Sequence, residues 1–174
     1  MSDDVTKNLA QNGVLNAPKS VLTTLTGRYD HRLDPRRRFT IPSDWIERMG
    51  YPSQVYAIPS LSGRPCITVY SPSEIEKIME PFDRDSDYDA ETAYSMSDIG
   101  ELLISVSVDN QARVRIKESY LSHINIGEKD EDVVLIGARR CFEIWSPTNR
   151  PKLDGNEARH IAGMSDSAKK WRFW

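Results

Sequence analysis

The 174-residue chain is 39% hydrophobic and 28% charged, the balance of an ordinary soluble protein. Its net charge of −3 argues against a uniformly basic nucleic-acid binder, although the average hides a strong local imbalance. No apolar run approaches the ~18 residues of a membrane-crossing helix, so no membrane partner is expected.

Residues 1–25 are polar, without clear period, and read as a mobile N-terminal arm. They lack the basic-then-apolar layout of an export signal, so a cytoplasmic location is expected. Tyr29, His31 and Leu33 alternate with Arg28, Asp30 and Arg32, which predicts a strand with one apolar face. Asp34-Pro35 opens a turn, and Arg38 to Ile41 returns as a second strand. Pro42-Ser43-Asp44 starts a short helix over Trp45 to Met49, stopped at Gly50. Strands follow at Gln54 to Pro59 and Cys66 to Tyr70. Ser71-Pro72-Ser73-Glu74 then combines a Ser cap, a first-turn Pro and a Glu three residues after the Ser. That helix is expected to end near Glu80, before Pro81.

Glu80 to Glu101 holds eight acids and one Arg. We read residues 81–100 as an acidic linker with room for one more helical turn. Its acids lack the Gly and distal Glu of a calcium loop, so a solvated segment is expected, not a metal site. Ile104, Val106 and Val108 begin a second series: strand, return strand over Arg113 to Lys117, short helix over Glu118 to His123. Strands at Val133 to Ala138 and Cys141 to Ser146 form a hairpin turning at Arg139-Arg140. Residues 151–174 form a polar tail ending in Lys169-Lys170-Trp171-Arg172-Phe173-Trp174. Its aromatics among cations suit base stacking, or docking on a core or neighbouring chain.

The second series repeats the first at an offset of 75 residues. Leu33-Asp34-Pro35-Arg36-Arg37-Arg38-Phe39 matches Val108-Asp109-Asn110-Gln111-Ala112-Arg113-Val114. Trp45-Ile46 matches Tyr120-Leu121, and the run from Cys66 to Pro72 matches that from Cys141 to Pro147. The halves, residues 26–80 and 101–150, are each too small for a full core and are expected to share one. The fold class is α+β, mostly β. The cysteines occupy equivalent positions and are expected to be buried thiols; a disulfide between them is the lesser alternative.

Arg28 to Arg38 holds five Arg against two Asp, so a basic surface lies beside the acidic linker. Phosphates require cations on a rigid exposed support, and a turn bearing Arg36, Arg37 and Arg38 is one. Clustered like charge repels itself unless a partner neutralises it. Arg28 and Arg32 lie on the outward strand face, usually only a solvated one. Trp45, Tyr70 and Trp145 are expected in a core or interface, and His31 as a structural histidine. No catalytic motif, phosphate-binding Gly loop or metal-ligand spacing is present, so no enzyme activity, cofactor or metal is expected.

Twice, then, the chain carries Asp-x-x-x-Arg after a strand and before an apolar return strand. With Gly27 to Asp34, Phe39-Thr-Ile-Pro42, Asp132-Val-Val-Leu-Ile-Gly137 and Phe142-Glu-Ile-Trp-Ser146, residues 26–150 resemble the MraZ family. The resemblance implies two tandem AbrB-like swapped-hairpin units, forming one small barrel-like domain with short flanking helices. It further implies a DNA-binding transcriptional regulator of the division and cell-wall gene cluster. Such a protein assembles as a homo-oligomeric ring and binds short direct repeats in double-stranded promoter DNA, and is nucleoid-associated.

Carried over to this chain, the motif gives Asp34 with Arg38 and Asp109 with Arg113. Arg38 is expected to make the main DNA contact, with phosphate contacts from Arg36 and Arg37. Asp34 and Asp109 orient the motif arginines, since a carboxylate facing phosphate is repelled. Arg113, with Arg115 and Lys117 nearby, is either a DNA contact or a brace for its turn. Members of the family usually have Gly before the motif Arg, where this chain has Arg37 and Ala112. Either these turns avoid a positive backbone angle, or the two residues are strained. The alternative function is an oligomeric protein-interaction scaffold of the same fold without DNA binding.

Overall fold

A computed structural model describes residues 24–84 and 90–150. The N-terminal arm up to residue 23, the acids of 85–89 and the aromatic-basic tail lie outside them. The first half forms β1 (Arg28–Arg32), β2 (Arg38–Thr40), α1 (Ser43–Arg48), β3 (Gln54–Pro59) and β4 (Cys66–Tyr70). Two helices follow, α2 (Pro72–Arg84) and α3 (Ala90–Leu102). The second half forms β5 (Ile104–Ser107), β6 (Arg113–Arg115), α4 (Glu118–His123), β7 (Asp132–Gly137) and β8 (Cys141–Trp145).

The connection between the halves is more helical than its composition suggests. α2 runs through Pro81 instead of ending before it, and α3 extends to 13 residues. A proline forfeits one intrahelical hydrogen bond; here the turns on either side outlast that loss.

Six strands form an antiparallel sheet in the order β1-β7-β8-β4-β3-β5, while β2 and β6 pair with each other as a separate ribbon. The opening strand of each half joins the other half: β1 lies against β7, and β5 against β3. β4 and β8 join the halves at the centre. The sheet is not the closed barrel expected. β1 and β5 remain its edges, because the chain turns out of each into β2 or β6, whose ladder bonds go to one another.

Both halves fill one core. Phe39, Trp45, Val55 and Ile67 from the first pack with Val114, Leu121, Leu135 and Phe142 from the second. The Trp45 ring meets Tyr29 edge-on at 5.0 Å and Phe142 at 5.4 Å, while its indole N–H donates to the Thr26 carbonyl at 2.9 Å. The central strands β4 and β8 are buried on both faces, and Thr68 and Glu143, which interrupt their apolar runs, are buried with them. A second cluster holds Cys66, Val134 and Trp145. Beside it, Glu143 is buried and accepts from Arg64 and, at 3.0 Å, from the Trp145 indole.

Cys66 faces Trp145 and Cys141 faces Tyr70 across the β4–β8 ladder, so ~13 Å of strand separates the thiols. Both are free, and burial pushes the Cys141 thiol up to about 11. Gly137 is fixed by proximity: a Cβ there would stand 2.5 Å from the Thr26 backbone nitrogen.

Candidate nucleic-acid interface

Each Asp-x-x-x-Arg segment is a turn closed by its own Asp. In the first, one Asp34 oxygen accepts the backbone N–H groups of Arg36 and Arg38, both at 2.9 Å. The other accepts Arg38 Nε at 2.8 Å and pairs with its Nη2 at 2.7 Å. In the second, Asp109 accepts the N–H groups of Gln111 and Arg113, both at 2.9 Å, and Arg113 Nε at 2.7 Å. Backbone bonds match as well: Arg37 donates to the Asp34 carbonyl and Ala112 to that of Asp109, each at 2.8 Å. The spacing is therefore a geometric requirement. A short carboxylate reaches the N–H groups two and four residues ahead, and its second oxygen meets the guanidinium of the latter residue.

These bonds favour the charged carboxylate. The Arg38 side chain, aided by the backbone N–H groups, holds the Asp34 carboxyl below its ordinary range. For Asp109 the backbone N–H of Arg113 does most, followed by its side chain.

Arg37 and Ala112 have φ of 61° and 56°, so neither turn avoids the left-handed region. A non-glycine residue there bears roughly 1–2 kcal/mol of steric strain. Arg37 has a compensation. Its guanidinium donates to the carbonyls of Gly127, at 2.9 Å, and Asp130, and pairs with Glu118 at 3.3 Å. It fastens the first turn to the loop after α4.

The two turns lead into the β2–β6 ribbon, where Arg38 lies opposite Arg115, Phe39 opposite Val114 and Thr40 opposite Arg113. Phe39 and Val114 are buried, so alternation puts Arg38, Thr40, Arg113 and Arg115 on the outer face. Arg38 is also within 3.5 Å of Asp109, so it stands between both motif carboxylates. Arg36, Arg115 and Lys117 are exposed, with no side-chain ion pair among the described residues.

Arg38, Arg113 and Arg115 thus come together on one surface, with Arg36 on the adjoining turn; Arg37 is turned away. Thr40 belongs to the same face and is not singled out by the sequence. Its signal was the 75-residue offset, which makes it the counterpart of Arg115. On the strand beside the turn, Arg28 pairs with Asp30 at 2.9 Å and Arg32 with Glu131. Burial lowers the pKa of His31, against the opposing pull of Asp30. Among the described residues, no group of three or more His, Cys, Asp or Glu is placed to hold a metal ion, and no helix is long and apolar enough to cross a membrane.

Residues 104–153 match a family profile described as "MraZ protein, putative antitoxin-like". The chain is 28% identical over 144 residues to the transcriptional regulator MraZ of Rickettsia canadensis (strain McKiel), covering 81% of this chain and 93% of the relative. It is 32% identical over 125 residues to the protein of that name from Heliobacterium modesticaldum (strain ATCC 51547 / Ice1), covering 69% and 79%. The alignments extend well beyond the 104–153 profile match: the chain belongs to the MraZ family.

Proposed function

We propose that this chain is a sequence-specific transcriptional regulator that binds double-stranded promoter DNA through the outer face of the β2–β6 ribbon and its two flanking turns. The observation that carries the reading is the concentration of Arg38, Arg113 and Arg115 on one side of a two-stranded ribbon, beside the exposed Arg36. A ribbon of this width enters the major groove, where Arg pairs bidentately with the O6 and N7 of guanine. Arg38 and Arg113, held by Asp34 and Asp109, enter pre-oriented. Arg36, Arg115 and Lys117 meet phosphates or base edges. Arg37 serves the turn and not the DNA.

The exchange of β1 and β5 between halves supports the AbrB-like swapped-hairpin reading. By family resemblance the active species is a homo-oligomeric ring on short direct repeats, upstream of division and cell-wall genes, in the cytoplasm and on the nucleoid. Repeated weak contacts there add through effective concentration. Neither catalysis nor a cofactor or metal enters this reading.

One observation favours the scaffold alternative: Arg38 and Arg113 already have internal carboxylate partners. Fluorescence anisotropy with the duplex upstream of the chain's own gene, against an unrelated duplex, separates the two. The regulator binds the first selectively, and Arg38→Ala abolishes the preference. Equal, weak binding of both duplexes by wild type would leave the scaffold.

A further inference from the structure

The offset of 75 residues places Arg38, Phe39 and Thr40 over Arg113, Val114 and Arg115. In the ribbon, Phe39 stands opposite its own counterpart, Val114. A local two-fold axis therefore passes between them. It exchanges Arg38 with Arg113 and Thr40 with Arg115, so these four make the corners of a two-fold face. Three corners are arginine and the fourth is Thr40. The backbone is symmetric; the charge is not. One end presents Arg38 and Arg115 directly opposite each other, and the other presents Arg113 beside a hydroxyl.

The carboxylates lean the same way. Asp109 meets Arg113 at 2.7 Å and also reaches Arg38 at 3.5 Å, whereas no ion pair joins Asp34 to Arg113 among the described residues. Arg38 is thus held from two sides, while Arg115 opposite it is exposed without an ion pair among those residues. Like charges facing each other across a ladder destabilise it, and an acceptor-rich ligand over that end relieves the repulsion.

Resting on the DNA-binding reading above, we propose that Arg115, standing where the first half has Thr40, makes its end of the ribbon the stronger guanine reader. A duplex has local two-fold symmetry of its own, so a symmetric ribbon selects an element that is its own reverse complement. The Arg38–Arg115 end selects guanine through its paired major-groove acceptors; the Thr40 end, with one guanidinium, selects less. Arg115 is therefore the specificity residue of the stronger end; at the same offset Arg36 stands over Gln111 and Lys117 over Pro42, which break the two-fold outside the four corners.

Selection from a pool of randomised duplexes tests this with the full chain. Wild type enriches guanine more strongly at one end of its element than at the other. Arg115→Thr leaves one Arg and one Thr at each end, and Thr40→Arg leaves two Arg at each; both positions are exposed, and thermal melting verifies folding. Arg115→Thr is expected to lower the guanine preference of the stronger end to that of the other, and Thr40→Arg to raise the weaker end to match. Guanine preference at the affected end falls roughly 10-fold in Arg115→Thr. Equal guanine preference at the two ends in wild type, or an end-to-end difference unchanged in a folded variant, would overturn the proposal and leave DNA binding standing. No enrichment by wild type would overturn the DNA-binding reading and this proposal with it.

Discussion

Arg37 holds a backbone angle that glycine adopts without strain, and its side chain explains why an arginine persists there. The missing glycine was readable in the sequence and raised the question of strain. The clamp was not readable, because its partners Glu118, Gly127 and Asp130 lie 81 to 93 residues away. Two substitutions separate backbone from side chain. Arg37→Ala and Arg37→Gly both delete the clamp, but only Gly relieves the angle. The Gly variant is expected to be more stable than the Ala variant by about 0.5–1 kcal/mol in urea unfolding, the reverse of the usual order. A less stable Gly variant would remove the strain argument.

The motif carboxylates make a second claim at this scale. The pKa values of Asp34 and Asp109 are lowered in the folded chain from an ordinary 3.8. Their contribution to stability is therefore complete above that value and lost as pH falls through the lowered ones. The urea midpoint of wild type should decline in acid below about pH 4 more steeply than that of Asp34→Asn/Asp109→Asn. Parallel acid limbs would show that the carboxylates contribute nothing specific.

Among the elements, local pattern carried the strands far. β3, β4, β7 and β8 lie within a residue of where alternation puts them, since each is a half- or fully buried run bounded by turn residues. Partner choice was not local. Nothing in Tyr29 to Leu33 says that this strand pairs with β7 in the other half, because exchange between similar halves satisfies the same apolar face. α3 was masked by its acids: the scattered Asp and Ser of residues 81–100 read as a linker, while Ala90, Glu91, Ala93 and Met96 favour helix. Gly137 tests the packing of elements. Adding a methyl where 2.5 Å separates it from the Thr26 backbone must push residues 25–26 off β7, undoing the Leu25–Arg139 bridge. Gly137→Ala should destabilise by about 1–3 kcal/mol in thermal melting, and an unchanged melt would mean the segment is not docked there.

For the molecule as a whole, the repeat announced a shared core, and the strand exchange makes the halves depend on each other. It also brings two turns 75 residues apart onto one ribbon. The basic cluster around Arg38 was visible in sequence, but its union with Arg113 and Arg115 required the β2–β6 pairing. A net charge of −3 is no obstacle to DNA binding when the cations are gathered this way. The proposed regulation therefore requires that face to meet the duplex. The most direct measurement is the slope of log affinity against log salt for wild type, Arg36→Ala, Lys117→Ala and the double variant on the upstream duplex. Each single substitution should reduce the slope by about 1 and the double by about 2, as phosphate contacts are removed one at a time. A slope unchanged in the double variant would put the DNA on another surface and contradict the account.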